Sequence, residues 1–143
     1  MRTVAMQHRI EFRKRREENA RKIIFYCLKI KRFYSRTEFN ARKVRTNFEE
    51  YKKEENDIID GFLKIQAIIS FNEAFDELIL KQVDCLQEAL SFIQNYSTIW
   101  HEQKNNNSDT KETETKIDKY SQDIIRSTNE IVDIVKCALR TSN

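Results

Sequence analysis

Proline is absent and glycine occurs once, at Gly61. That scarcity excludes turn-rich β architecture and any Gly-lined phosphate loop. Histidine occurs only as His8 and His101, far apart in the chain, and no Cys or Ser sits in a recognisable nucleophile setting. Cys27, Cys85 and Cys137 lack zinc-ligand spacing; three widely spaced thiols without a secretory signal fit a reducing compartment and burial as small hydrophobes. The longest apolar run, Ile23 to Leu28, is far short of the roughly 20 residues that span a bilayer. These absences predict a soluble, non-catalytic chain with no small-molecule substrate, no cofactor and no metal.

What is present is charge. Among the 143 residues, 34% are charged and mean hydropathy is −0.74, a composition suited to long helices that each bury one stripe. Residues 1–50 hold 15 Lys or Arg against 6 acids, while the remainder holds 11 against 17. A basic head on an acidic body implies an anionic partner for the head, or contact between the two parts.

The chain is predicted to be all-α: a basic amphipathic helix within 1–36, a long broken heptad-patterned helix over 37–104, a flexible polar linker over 105–116 and a packing helix over 117–143. In the first segment Arg13–Glu17, Lys14–Glu18, Glu17–Arg21 and Glu18–Lys22 stand at i,i+4 spacing. Ser35 and Thr37 offer a cap or bend, with a restart near Asn40. From Val44 onward, alternate steps of four and three trace a seam. It runs through Phe48, Tyr51, Glu55, Ile58, Phe62, Ile65, Ile69, Asn72, Asp76, Ile79, Val83, Leu86, Leu90, Ile93, Ser97 and Trp100. Such a 3.5-residue repeat signals left-handed supercoiling, with copies of the chain as a homo-oligomer or within one chain. Asn72 and Asp76 interrupt it, and Ser70 or Asn72 could cap a new helix with Glu73 near its start.

"KNNNSDTKETETK" (Lys104–Lys116) is polar and low in complexity. It imitates a calcium loop at Asn105, Asn107 and Asp109, but Thr110 stands where Gly is needed and Lys116 where a bidentate Glu is needed. Beyond it, Ile117, Tyr120, Ile124, Ile131, Ile134 and Ala138 form a last stripe expected to pack on the Ile79–Trp100 helix.

The stretch "ENARKIIFYCLKIKRFYSR" has no acid after Glu18 and is rich in Lys and Arg. Three uses compete. It is a core helix with snorkelling cations, or a patch for nucleic acid or anionic membrane, or a helix held by a calmodulin-like protein. Apolar side chains nearly all round Ile23–Leu28 make nucleic acid the poorest fit. For the third use, Ile24, Leu28 and Phe33 are the anchors, amid Lys22, Lys29, Lys31, Arg32 and Arg36.

"ARKIIFYCLKIKRFY" resembles a degenerate IQ motif, with Ile24, Phe25 and Lys29 at its Ile, Gln and central Arg. More broadly, Asn19–Ala20, the Ile23–Ile30 centre and "KVRTN" (Lys43–Asn47) resemble the calmodulin-binding domain of small-conductance calcium-activated potassium channels, over roughly residues 7–55. That family carries a Trp near Cys27 or Leu28, so the aromatic anchor here would be Phe25 or Tyr26.

The resemblance implies a regulatory region that keeps calmodulin on its first helix, with Val44 and Arg45 as secondary contacts. It also implies a cytoplasmic setting, at the cytosolic face of a membrane where a pore-bearing chain accompanies it. No pore helix or selectivity filter is present in this sequence, so it is not expected to conduct ions. Ile24→Glu is expected to abolish partner binding and spare the seam. The alternative is a structural coiled-coil or helical-bundle interaction protein with no calcium-linked partner.

Overall fold

The structure is a computed structural model that describes residues 3–35, 47–70 and 77–141. Four helices account for nearly all of them: α1 (Val4–Tyr34), α2 (Phe48–Ser70), α3 (Glu77–Asn105) and α4 (Lys111–Thr141). No strand occurs among the described residues. Each helix packs on its neighbours in the chain, and α4 closes the ring against α1. The result is an all-α four-helix bundle.

Pairs across the interfaces fix the direction of successive helices. Lys29 meets Asp57 and Tyr26 lies against Gly61; Phe48 stacks on His101 while Gln66 meets Gln87; Gln103 bonds Thr113 while Phe92 stacks on Tyr120. In each case one index rises as the other falls, so the helices run up, down, up, down.

The heptad seam becomes the bundle interior. Among its described positions, every one from Tyr51 to Ile69 and from Ile79 to Trp100 is buried, and Phe48 is half-buried against the core. Full burial of an Ile or Leu side chain stabilises by roughly 1.5–3 kcal/mol, and this repeated stripe is the main cohesive force. α1 contributes Ala20, Ile23, Cys27, Ile30 and Tyr34, and α4 contributes Ile117, Ile124, Ile131, Val132 and Val135. In the last stripe Tyr120, Ile134 and Ala138 are only half-buried, because the true core line of α4 passes through Ser121, Thr128 and Val135.

Local chemistry sets the helix ends. The Thr3 hydroxyl accepts from Met6 N–H at 3.3 Å, and the Asn47 side chain accepts from Glu50 N–H at 3.1 Å. The Ser35 hydroxyl donates to the Arg32 carbonyl at 3.0 Å where α1 stops. α3 is closed by Asn107 just beyond its last residue, at φ 55°, with Ser108 N–H donating to Gln103 carbonyl and Asn107 N–H to Lys104 carbonyl. This is a Schellman closure in which Asn takes the left-handed residue, as suits a chain with almost no glycine.

Gly61 lies instead inside α2, where an added Cβ would stand 3.2 Å from Tyr26 Cδ1; the missing side chain lets α1 approach. No helix among the described residues is long and apolar enough to cross a membrane.

The expected linker at 105–116 needs correction at its second half, because α4 begins at Lys111. Asp109 accepts from Lys111 N–H at 3.0 Å, and Thr110 and Thr113 are buried. Thr113 donates to Gln103 at 2.6 Å, and the Trp100 indole donates to Glu114 at 3.1 Å. The segment is polar in composition yet bonds to α3 through those polar groups. The expected burial of all three thiols also fails: Cys27 is buried, whereas Cys85 and Cys137 are exposed.

Candidate functional site: the outer face of helix α1

α1 sorts its residues by azimuth. At 100° per residue, Ala20, Ile23, Cys27, Ile30 and Tyr34 share one side and enter the core. The opposite side carries Arg21, Phe25, Leu28 and Arg32, flanked by Lys22 and Lys29. Phe25 is 61% exposed and Leu28 45% exposed, both large apolar groups left in water. Scattered exposed hydrophobics are ordinary, but here two stand about 60° apart within a cationic rim.

The named anchors therefore divide. Leu28 faces out, while Ile24 and Phe33 are half-buried and pack on the core. The Phe33 ring lies 4.8 Å from Tyr34 and 5.7 Å from Tyr51, on the side of α1 that meets α2. Ile24 lies on the opposite flank, beside half-buried Lys31, so the three do not share one exposed face. Lys22, Lys29 and Arg32 are exposed. Val44 and Arg45 lie outside the described residues.

Lys29 reaches Asp57 Oδ2 on α2 at 2.8 Å, and that hydrogen bond and charge hold the Asp57 carboxyl below its ordinary range. Both partners are exposed, so the pair adds little stability. None of the expected i,i+4 pairs from Arg13 to Lys22 comes within ion-pair distance. Arg21, Lys22 and Arg32 are exposed beside Phe25 and Leu28.

Behind the same helix lies a polar cluster that the heptad reading passed over. Glu55 is wholly buried at a seam position. Its Oε2 accepts from Tyr51 at 2.9 Å and Tyr34 at 3.3 Å, and its Oε1 accepts from Lys52 at 3.1 Å. Tyr51 and the buried Ser97, another polar seam residue, meet at 3.2 Å. Burial first, then the Glu55 charge, pushes both tyrosine hydroxyls well above their ordinary value. The sequence signal was present: Tyr51, Glu55 and Ser97 all fall on the apolar repeat. The cluster is closed within the bundle and ties α1, α2 and α3 together.

No group of His, Cys, Asp and Glu among the described residues could hold a metal ion. The second surface the sequence reading did not isolate is the first part of α1, where every residue from Thr3 to Arg15 is exposed. Comparisons with protein families, with curated proteins and with solved structures give no match for this chain.

Proposed function

We propose that the chain is a non-catalytic binding and assembly module that docks an acidic, calmodulin-type protein on the outer face of α1. This reading accords with the resemblance to the calmodulin-binding region of small-conductance calcium-activated potassium channels. The observation that carries it is the pair Phe25 and Leu28, exposed within a rim of Arg21, Lys22, Lys29 and Arg32 on a helix whose own core stripe is a different face. Met-lined apolar grooves rimmed with acids take such a surface through apolar anchors and are oriented by the cations. A partner seated on the folded bundle reaches one face only. Phe25 and Leu28 then serve as anchors, while Ile24 and Phe33 contribute at the edges.

Retention of the full chain on immobilised calmodulin, with calcium and with chelator, tests the reading. A Phe25→Glu/Leu28→Glu double variant is expected to lower retention at least tenfold while its thermal midpoint stays near that of the parent. Ile24→Glu is the poorer probe, because the half-buried Ile24 also touches the core. Absence of retention in both conditions would leave the second reading, a structural helical bundle without a calcium-linked partner. That second reading draws support from the complete use of Ile23, Cys27, Ile30 and Tyr34 in the core.

A further inference from the structure

α1 continues beyond the core as an arm of about 20 Å, in which no residue from Thr3 to Arg15 is even half-buried. Val4, Met6, Ile10 and Phe12 are 68%, 51%, 44% and 60% exposed. Arg9, Arg13, Lys14 and Arg15 interleave with them, and none makes an ion pair among the described residues. Azimuth decides what such an arm suits. At 100° per residue, Val4 and Phe12 lie about 80° apart on one side, and Met6 and Ile10 about 40° apart on the opposite side. The cations fill the flanks between these pairs and also stand among them.

A bilayer surface needs the apolar groups gathered on one side, and here they oppose one another. A nucleic-acid groove would use the cations and gain little from four large apolar side chains. Pairing with the arm of a second copy would bring like charges together.

We infer that the arm is a second docking segment, enclosed on both sides by the same acidic, Met-lined partner. The inference rests on the proposed function for the identity of that partner. The outer face of the bundled part of α1 offers the partner one side of a helix; the arm offers the whole circumference. A protein that closes round a helix meets Val4 and Phe12 with one wall and Met6 and Ile10 with the other, and its rim carboxylates meet the arginines. The arm also has something to gain from enclosure. Its first turn carries no acid to complement the helix dipole, and a helix of this length alone is marginal in water.

Hydrogen exchange of the full chain, alone and with calcium-loaded calmodulin, provides the test, paired with calorimetric titration of two variants. Amides from Thr3 to Arg15 are expected to gain at least tenfold protection in the complex. Met6→Glu/Ile10→Glu is expected to weaken binding at least tenfold with an unchanged thermal midpoint, because neither side chain touches the core. Unchanged arm exchange, or wild-type affinity in that variant, overturns the inference. If Phe25→Glu/Leu28→Glu still loses binding in that case, the proposed function stands without it. Conversely, loss in the arm variant alone, with Phe25→Glu/Leu28→Glu binding as wild type, removes the bundled face and keeps the arm. Protection of the arm by duplex RNA, by phosphatidylserine vesicles or by raised protein concentration, and not by calmodulin, also overturns it.

Discussion

Glu55 carries a carboxylate with no exposure to solvent, held by two tyrosine hydroxyls and Lys52. Removing one member of such a cluster costs more than removing all of it, because a buried hydroxyl left without an acceptor loses about 1–3 kcal/mol. Glu55→Leu takes the acceptor from Tyr34 and Lys52, leaves Tyr51 only Ser97, and is expected to cost about 3 kcal/mol or more in urea unfolding. Glu55→Gln keeps an acceptor and should cost clearly less. The triple variant Tyr34→Phe/Tyr51→Phe/Glu55→Leu should recover much of the single-variant loss, a non-additivity that equal costs in the single and triple variants would refute. Titration adds a second test at this scale. Burial pushes the Cys27 thiol from 9.0 to about 12, and Tyr34 and Tyr51 are raised as well. For an acid whose neutral form is the folded form, the stabilisation is complete below its unfolded pKa and falls as pH rises above it. Stability is therefore expected to be level from neutral pH to about 9 and to decline steeply beyond. The Cys27 share of that loss is about 4 kcal/mol by pH 12. A stability that stays flat to pH 11 would contradict the burial of these three groups.

Elements differ in how far residue patterns reveal them. α2 and α3 were legible because an apolar residue every 3.5 positions has one physical outcome, a buried stripe, whichever molecule buries it. Even the polar seam members among the described residues followed the rule: Tyr51, Glu55 and Ser97 are buried and bond to one another. The start of α4 was hidden by composition. Thr110, Thr113 and Glu114 look like linker residues, yet Thr113 donates to Gln103 and Glu114 accepts from Trp100 across the α3 interface while Thr110 donates to Glu114, and no count of apolar residues registers polar packing. α1 was hard for the opposite reason. Its apolar residues from Ile23 to Leu28 surround the helix, so the core stripe could be separated from the outer pair only once α2 and α4 occupied their flanks. The candidate site was thus half readable. Its cations and Leu28 were assigned to an exposed face, whereas Ile24 and Phe33 turned out to belong partly to the bundle.

At the scale of the whole molecule, the core stripe and the proposed docking face occupy opposite sides of one helix. The choice left open by the heptads, pairing between chains or within one, has a specific answer in this fold: α2 and α3 turn their seams inward, where α1 and α4 complete the enclosure. Substitutions should therefore fall into two groups with little overlap. Leu86 is wholly buried, and Leu86→Asp places an unpaired carboxylate in the core, a change expected to cost more than about 4 kcal/mol. With single-domain stabilities of about 5–15 kcal/mol, that loss consumes much of the margin. Circular dichroism should then show helicity falling across all four helices together, since α1 and α4 have no other surface on which to bury Ile23, Ile30, Ile124 and Ile131. Phe25→Glu/Leu28→Glu should leave the same spectrum and melting curve intact. If instead Leu86→Asp left helicity and the cooperative melt unchanged, the four helices would not share one core, and the outer face of α1 would lose the scaffold that makes it a face at all.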